Sequence, residues 1–270
     1  MRKLLVVCMM IAVTLPLLAQ SQAPSPAGGG PRAIGQFVVR SPVPTGPAPR
    51  LPDGTVDLAG VWVGGGPIND IEREGGLKPG EIQLLPAAKA LMESRSKRPQ
   101  DDPHNYCLPM GVPRTTPYPF RFVQTPTHKA ATHIFILHEG NIHSYRQIFM
   151  DGRKHPAELD PTWFGHSIGW WEGDTLVIDT VGFNDKFWFD RLGHPHTEQL
   201  HTIERWTRKD LGTLENKVTI EDSGSYARPF TVTFTAKLSE PGDELMENIC
   251  QENNQFGPAG GYTNPYVTKP

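Results

Sequence analysis

The sequence predicts a mainly β protein, an antiparallel barrel with one short helix and long loops. Three observations carry that expectation. Phe230, Val232, Phe234, Ala236 and Leu238 alternate with Thr231, Thr233, Thr235 and Lys237, so one face is buried and the other wet. Val218 and Ile220 repeat the pattern against Lys217, Thr219 and Glu221. From residue 120 onward the chain turns almost wholly to such segments, about eight to ten of them with short turns, which suits a closed or nearly closed barrel.

Residues 1–23 read as a secretory signal, with Arg2-Lys3 ahead of the apolar run Leu4–Leu18 and small residues at Ala19-Gln20-Ser21 and Ser21-Gln22-Ala23. The run is too short for a membrane span. Residues 24–52 form a Pro- and Gly-rich leader, in which Ile34–Val39 would dock as a short strand. The barrel domain is expected over 53–255, opening at Asp57–Trp62, with a loose tail at 256–270. Helical spacing of Leu84, Ala88, Leu91 and Met92 predicts a helix over Leu84–Lys97. The loop 99–119 is proline-rich and would serve as a lid or rim. Strands are expected at Phe120–Gln124, Ala131–His138, Ile142–Met150, Gln199–Arg208, Leu214–Glu221, Phe230–Leu238 and Leu245–Cys250.

Between them, Gly165–Phe183 reads as a hairpin turning at Glu172-Gly173. A two-residue turn there sets His166 opposite Asp179 and gives His166, Ile168, Trp170, Thr175, Val177, Asp179 and Val181 one face. A three-residue turn through Asp174 would put Thr180 opposite His166 instead. The His166–Asp179 pair is either a register pin or an acid–base dyad in which the carboxylate raises the imidazole's pKa.

Charge is near balance, with 26 Lys and Arg against 29 Asp and Glu, which argues against nucleic acid or an anionic membrane as main partner. Removal of the signal leaves Cys107 and Cys250. In an oxidising compartment they most simply pair, which closes a long loop and stabilises the fold by roughly 4 to 5 kcal/mol in the chain-entropy model. Two buried thiols or a metal thiolate pair are the alternatives.

Four further constellations could carry chemistry. His194 and His196, with Glu198 and His201, offer a loop-borne Zn²⁺ or Cu²⁺ site, or simply a polar loop with His201 entering a strand. Asp151, Arg153 and His155 follow a strand end, where they meet a polar ligand at a barrel mouth or only cap a sharp turn. His138 and His143 flank a hairpin turn as a surface metal pair or as ordinary exposed histidines. Arg146, Glu204 and Arg205 interrupt apolar strands; turned inward they make a polar floor for a carboxylate, phenol or sugar, and turned outward they are solvated cross-strand partners. Trp170 is the aromatic expected to line the ligand site. No nucleophile elbow, phosphate loop, dinucleotide fingerprint or Cys–His protease signature occurs, and no cofactor is indicated.

CLPMGVPR, MDGRKHP, GHSIGWWEGDTLVIDTVGFN, GHPHTEQLHTIERW and ELMENICQEN together resemble a family of secreted, β-rich proteins of environmental bacteria. The resemblance covers roughly Leu51 to Asn254 and implies export, but transfers no activity. Gly60-x-Trp62 is similar to the opening of lipocalins, which implies a lipocalin-like barrel with Trp62 closing one end. The expected function is therefore small-molecule binding in an exported barrel, with acid–base chemistry (lyase, isomerase or hydrolase) as the catalytic version. A non-catalytic sequestering protein and a loop-borne metal protein are the alternatives.

Overall fold

The computed structural model describes residues 42–124, 132–140, 144–247 and 249–250. The expected signal, the docking strand at Ile34–Val39, the tail and His143 lie outside these residues. Nine strands close into one barrel in chain order. They are β1 (Trp62–Gly64), β2 (Phe120–Val123), β3 (His133–His138), β4 (Ser144–Phe149), β5 (His166–Glu172), β6 (Thr175–Val181), β7 (His201–Arg208), β8 (Thr213–Glu221) and β9 (Phe230–Leu238). A short helix, α1 (Ile71–Glu74), precedes the expected one, α2, which runs over Pro86–Ser96. Pro86 sits in the first turn of α2, where its missing N–H costs no hydrogen bond.

Closure runs through β1. Trp62 pairs with Leu238 of β9 on one side and Phe120 of β2 on the other. Its indole is fully buried and donates to the Leu58 carbonyl at 2.9 Å. Above it lies the Arg208 guanidinium, 4.8 Å from the ring centroid. The closure also explains a correction. Leu245–Cys250 is not a strand among the described residues, because pairing of β9 with β1 leaves no edge for it to join. The Met246 amide donates instead to the Glu139 carboxylate, and Cys250 is joined to Cys107 in a disulfide with Cα atoms 5.6 Å apart.

The barrel departs from pure antiparallel order at one seam. β4 and β5 pair in parallel, through Ile148↔Ser167 and Phe149↔Ile168. Parallel neighbours need a long crossover, and residues 150–165 supply it. Gly169 lets the two strands approach: a Cβ there would fall 2.7 Å from Ile148 Cγ2 and 2.8 Å from the Met150 sulfur.

The β5–β6 hairpin turns at Gly173-Asp174, one residue later than expected. Glu172 pairs with Thr175, so His166 faces Val181 and Asp179 faces Ile168. The reason is backbone geometry. A turn on Glu172-Gly173 would require a left-handed conformation at Glu172, whereas the observed one places that conformation on Gly173, with φ 59°. The change slides the partner by two positions, so the expected face survives intact while its facing pairs do not.

That face points outward, although Val177 on it is fully buried. His166, Ile168, Asp179 and Val181 are only partly buried, whereas Ser167, Gly169, Leu176, Ile178 and Thr180 are buried inside. Two apolar clusters make up the core among the described residues. One gathers Val56, Leu58, Trp62, Phe120, Ile136, Leu176 and Trp206, the other Phe183, Phe187, Phe189, Ile220, Tyr226 and Phe230. Replacing Trp62 with Ala should cost about 3 to 5 kcal/mol, measured by denaturant unfolding; an unchanged midpoint would remove its closing role.

Candidate functional site

The wall is thin at the parallel seam. Only two residue pairs join β4 to β5, so Ser144–Gln147 has no facing β5 residue among those described. A pocket of about 290 Å³ opens there, lined by Tyr145, Arg146, Gln147, Phe149, Phe164, Gly165, His166 and Ser167. Alternation in β5 sends His166 to the outer rim and Ser167 to the interior. The pocket therefore touches two polar groups at once.

The outer group is a chain of hydrogen bonds. His155, carried in on the crossover, places Nδ1 2.8 Å from His166 Nδ1 and Nε2 3.1 Å from Asp179 Oδ1. His201 Nε2 reaches the same Asp179 oxygen at 2.9 Å, and its Nδ1 meets Glu221 at 3.1 Å. Burial raises the Asp179 pKa, but hydrogen bonds and charge from His201 and His155 outweigh it, and the net shift is downward. His201 is raised, chiefly by its bond to Asp179. His166 is lowered, chiefly by burial, with the Arg153 charge adding to it. The sequence reading paired His166 directly with Asp179 and expected a raised imidazole; the observed register puts His155 between them and reverses the sign.

The tautomers follow from the network. In the tautomer that donates from His155 Nε2 to the Asp179 carboxylate, the His155 Nδ1 is an acceptor. His166 must then donate from Nδ1, which leaves its Nε2 lone pair as a base. Phe149 stacks on the His166 ring at 5.0 Å and fixes its plane.

The inner group is built on Arg146 and Glu204. Arg146 Nη2 lies 2.6 Å from Glu204 Oε2, both side chains being almost fully buried. Oε2 takes no aligned hydrogen bond, so this is a charge contact off the lone-pair direction. Nη2 also reaches Ser167 Oγ and Thr180 Oγ1 at 3.3 Å each, and Trp206 Nε1 donates to Glu204 Oε1 at 3.3 Å. Among the described residues, Arg146 Nε and Nη1 and both ring nitrogens of His138 meet no partner. Burial and the nearby Arg146 charge push His138 down to about 3, so its ring is neutral.

The remaining expected residues are dispersed. Arg205 points outward and pairs with exposed Glu172, which also accepts from Trp170; Trp170 is an exposed outer residue and lines no part of the seam pocket. Asp151 pairs with Arg153 on the surface and so serves its turn. His194, His196 and His201 do not converge. His194 Nδ1 binds buried Asp190 at 2.6 Å, His196 lies against Phe187 and Phe189 with ring centroids 3.9 and 5.0 Å away, and His201 sits on the outer wall. Pro195 separates the two loop rings and β7 carries off the third. The ligand atoms that do cluster, within 4.8 Å, belong to Asp70, Asp190 and His194. Asp190 already accepts from the amides of Ile71, Gly193 and His194 and contacts the His194 ring, so its carboxylate is spent on holding the loop. Phe149, Phe164 and Ser167 were absent from the sequence reading, which named Thr180 only as an alternative partner of His166 and Glu221 only as an outward strand residue; Ser167 carried a local signal, as the inward neighbour of His166.

No family model matches this chain, and neither the curated proteins nor the solved structures contain a match to it. The barrel, able to hold a small ligand, and the Cys107–Cys250 disulfide thus stand on the structure alone. No helix among the described residues is long and apolar enough to cross a membrane.

Acid should unfold the protein through its buried imidazoles. His138 and His196 titrate near 3 and 4 in the fold against 6.5 unfolded. Protonation thus favours the unfolded chain, and their stabilisation is complete above 6.5 and lost as pH falls toward 4. Melting temperatures should drop across that window, and His196→Phe should make the drop shallower; an unaltered slope would contradict the assignment.

Proposed function

We propose that this chain is an exported β-barrel protein that binds a small organic molecule in the β4–β5 seam and removes a proton from it at His166. Support for export comes from the signal-like residues 1–23 and the disulfide. The observation that carries the chemistry is the relay His166–His155–Asp179 at the rim of a pocket with a buried guanidinium at its floor.

In this reading His166 Nε2 accepts the substrate proton, and the positive charge that develops is stabilised through Nδ1–H by His155 and then Asp179. The lowered pKa keeps His166 unprotonated at neutral pH, as a general base requires. Arg146 stands where negative charge develops on the substrate. Proton abstraction followed by reprotonation or elimination makes the activity that of an isomerase or lyase.

A panel of small carbon acids incubated in D₂O tests this by nuclear magnetic resonance. Catalysed exchange is expected, and His166→Gln should slow it by roughly 10²- to 10⁴-fold without changing the melting temperature. The rate should rise with pH through a value below 6.5 and then level. Equal exchange by the variant would end the catalytic role of His166. Ligand binding without any exchange by the wild type would leave a binding protein.

A further inference from the structure

We infer that the seam pocket takes a monocyclic aromatic carboxylate, with the carboxylate on Arg146 and the ring between Phe149 and Phe164. This deepens the reading just given and rests on its pocket.

The first observation is the guanidinium. Arg146 is 2% exposed, yet Nε and Nη1 meet no acceptor among the described residues. That leaves the single Nε donor and both Nη1 donors without partners. Nη2 alone bears the contacts with Glu204, Ser167 and Thr180. Buried donors on a permanent cation are costly to leave unmet, and a carboxylate is the acceptor whose geometry suits a guanidinium best. His138 adds a further unmet N–H beside it, its ring stacked on Phe164 at an interplanar angle of 6°.

The second observation is the wall. Phe149, with His166 and Arg153 over its ring, and Phe164, with His138 stacked on it, line the pocket with apolar ring surface, and Tyr145, 60% exposed, stands at the rim. At about 290 Å³ the pocket lies at the small end of ligand sites, which suits one ring and its substituent. Arg153 lies 3.9 Å from the ring centroid of the lining residue Phe149. Asp151 pairs with it on the surface, as Glu204 does with Arg146 inside, so each cation is held in place and keeps donors to share.

Isothermal titration at pH 7 with benzoate and with its neutral isostere benzamide tests the inference. Benzoate should bind roughly tenfold or more tightly than benzamide, the difference between a charge-assisted and a neutral hydrogen bond. Arg146→Met alone would strand Glu204, so the variant is the pair Arg146→Met with Glu204→Gln. It should melt cooperatively and lose benzoate binding by at least about tenfold. In the wild type, the Arg146 Nε–H resonance should move on addition of benzoate, a readout that does not need the variant to fold. Equal affinity for both ligands would overturn the carboxylate while leaving the pocket and the general base standing. Undiminished benzoate binding by the folded double variant, or a motionless Arg146 resonance, would overturn the placement. Absence of binding by either ligand would overturn the ligand class, and proton exchange into neutral carbon acids would then judge the His166 reading separately.

Discussion

A charged pair inside a barrel sets the terms for the rest of this structure. Moving a guanidinium and a carboxylate out of water costs several kcal/mol for each ion, and their attraction offsets this only when neighbours complete the hydrogen bonds. Around Arg146 and Glu204 the interior answers with Ser167, Thr180 and the Trp206 indole, on three different strands. Arg146 and Ser167 of this polar group line the pocket where β4 and β5 part.

The seam and the crossover have one origin. Because β4 and β5 run parallel, the chain between them must travel the length of the barrel and return. That excursion brings His155 against Asp179 and His166, joining a crossover loop to two strands by hydrogen bonds of 2.8 and 3.1 Å. The same topology thins the wall to two residue pairs. A purely antiparallel meander would need no such crossover and would not bring in the intervening imidazole.

Much of the outer site was legible in the sequence, for a local reason. Side chains in a strand alternate, so the shared face of His166 and Asp179 follows from the parity of their positions and survives a two-residue slide of register. The direct pairing did not survive, because the turn had to place its left-handed residue on Gly173. Arg146, Glu204 and Arg205 were legible as charges in apolar strands. Only their neighbours decided the outcome: Arg146 and Glu204 lie on the inward parity of β4 and β7, and Arg205, one position further, reaches the exposed Glu172.

By itself the sequence determined the class of fold, the strand segments from β2 to β9, the buried Trp62 and the cysteines available to pair. Each of these depends on residue type and on a period of two along the chain, which neighbouring residues carry. Tertiary structure decided the parallel seam, the absence of a last strand at Leu245–Cys250, the scattering of His194, His196 and His201, and the approach of His155 to Asp179. These depend on which distant segments meet once the sheet has closed, and closure is a property of all nine strands together. A histidine's role here is set by what the closed barrel brings to its two nitrogens: a carboxylate for His201, phenyl rings for His196, another imidazole for His166.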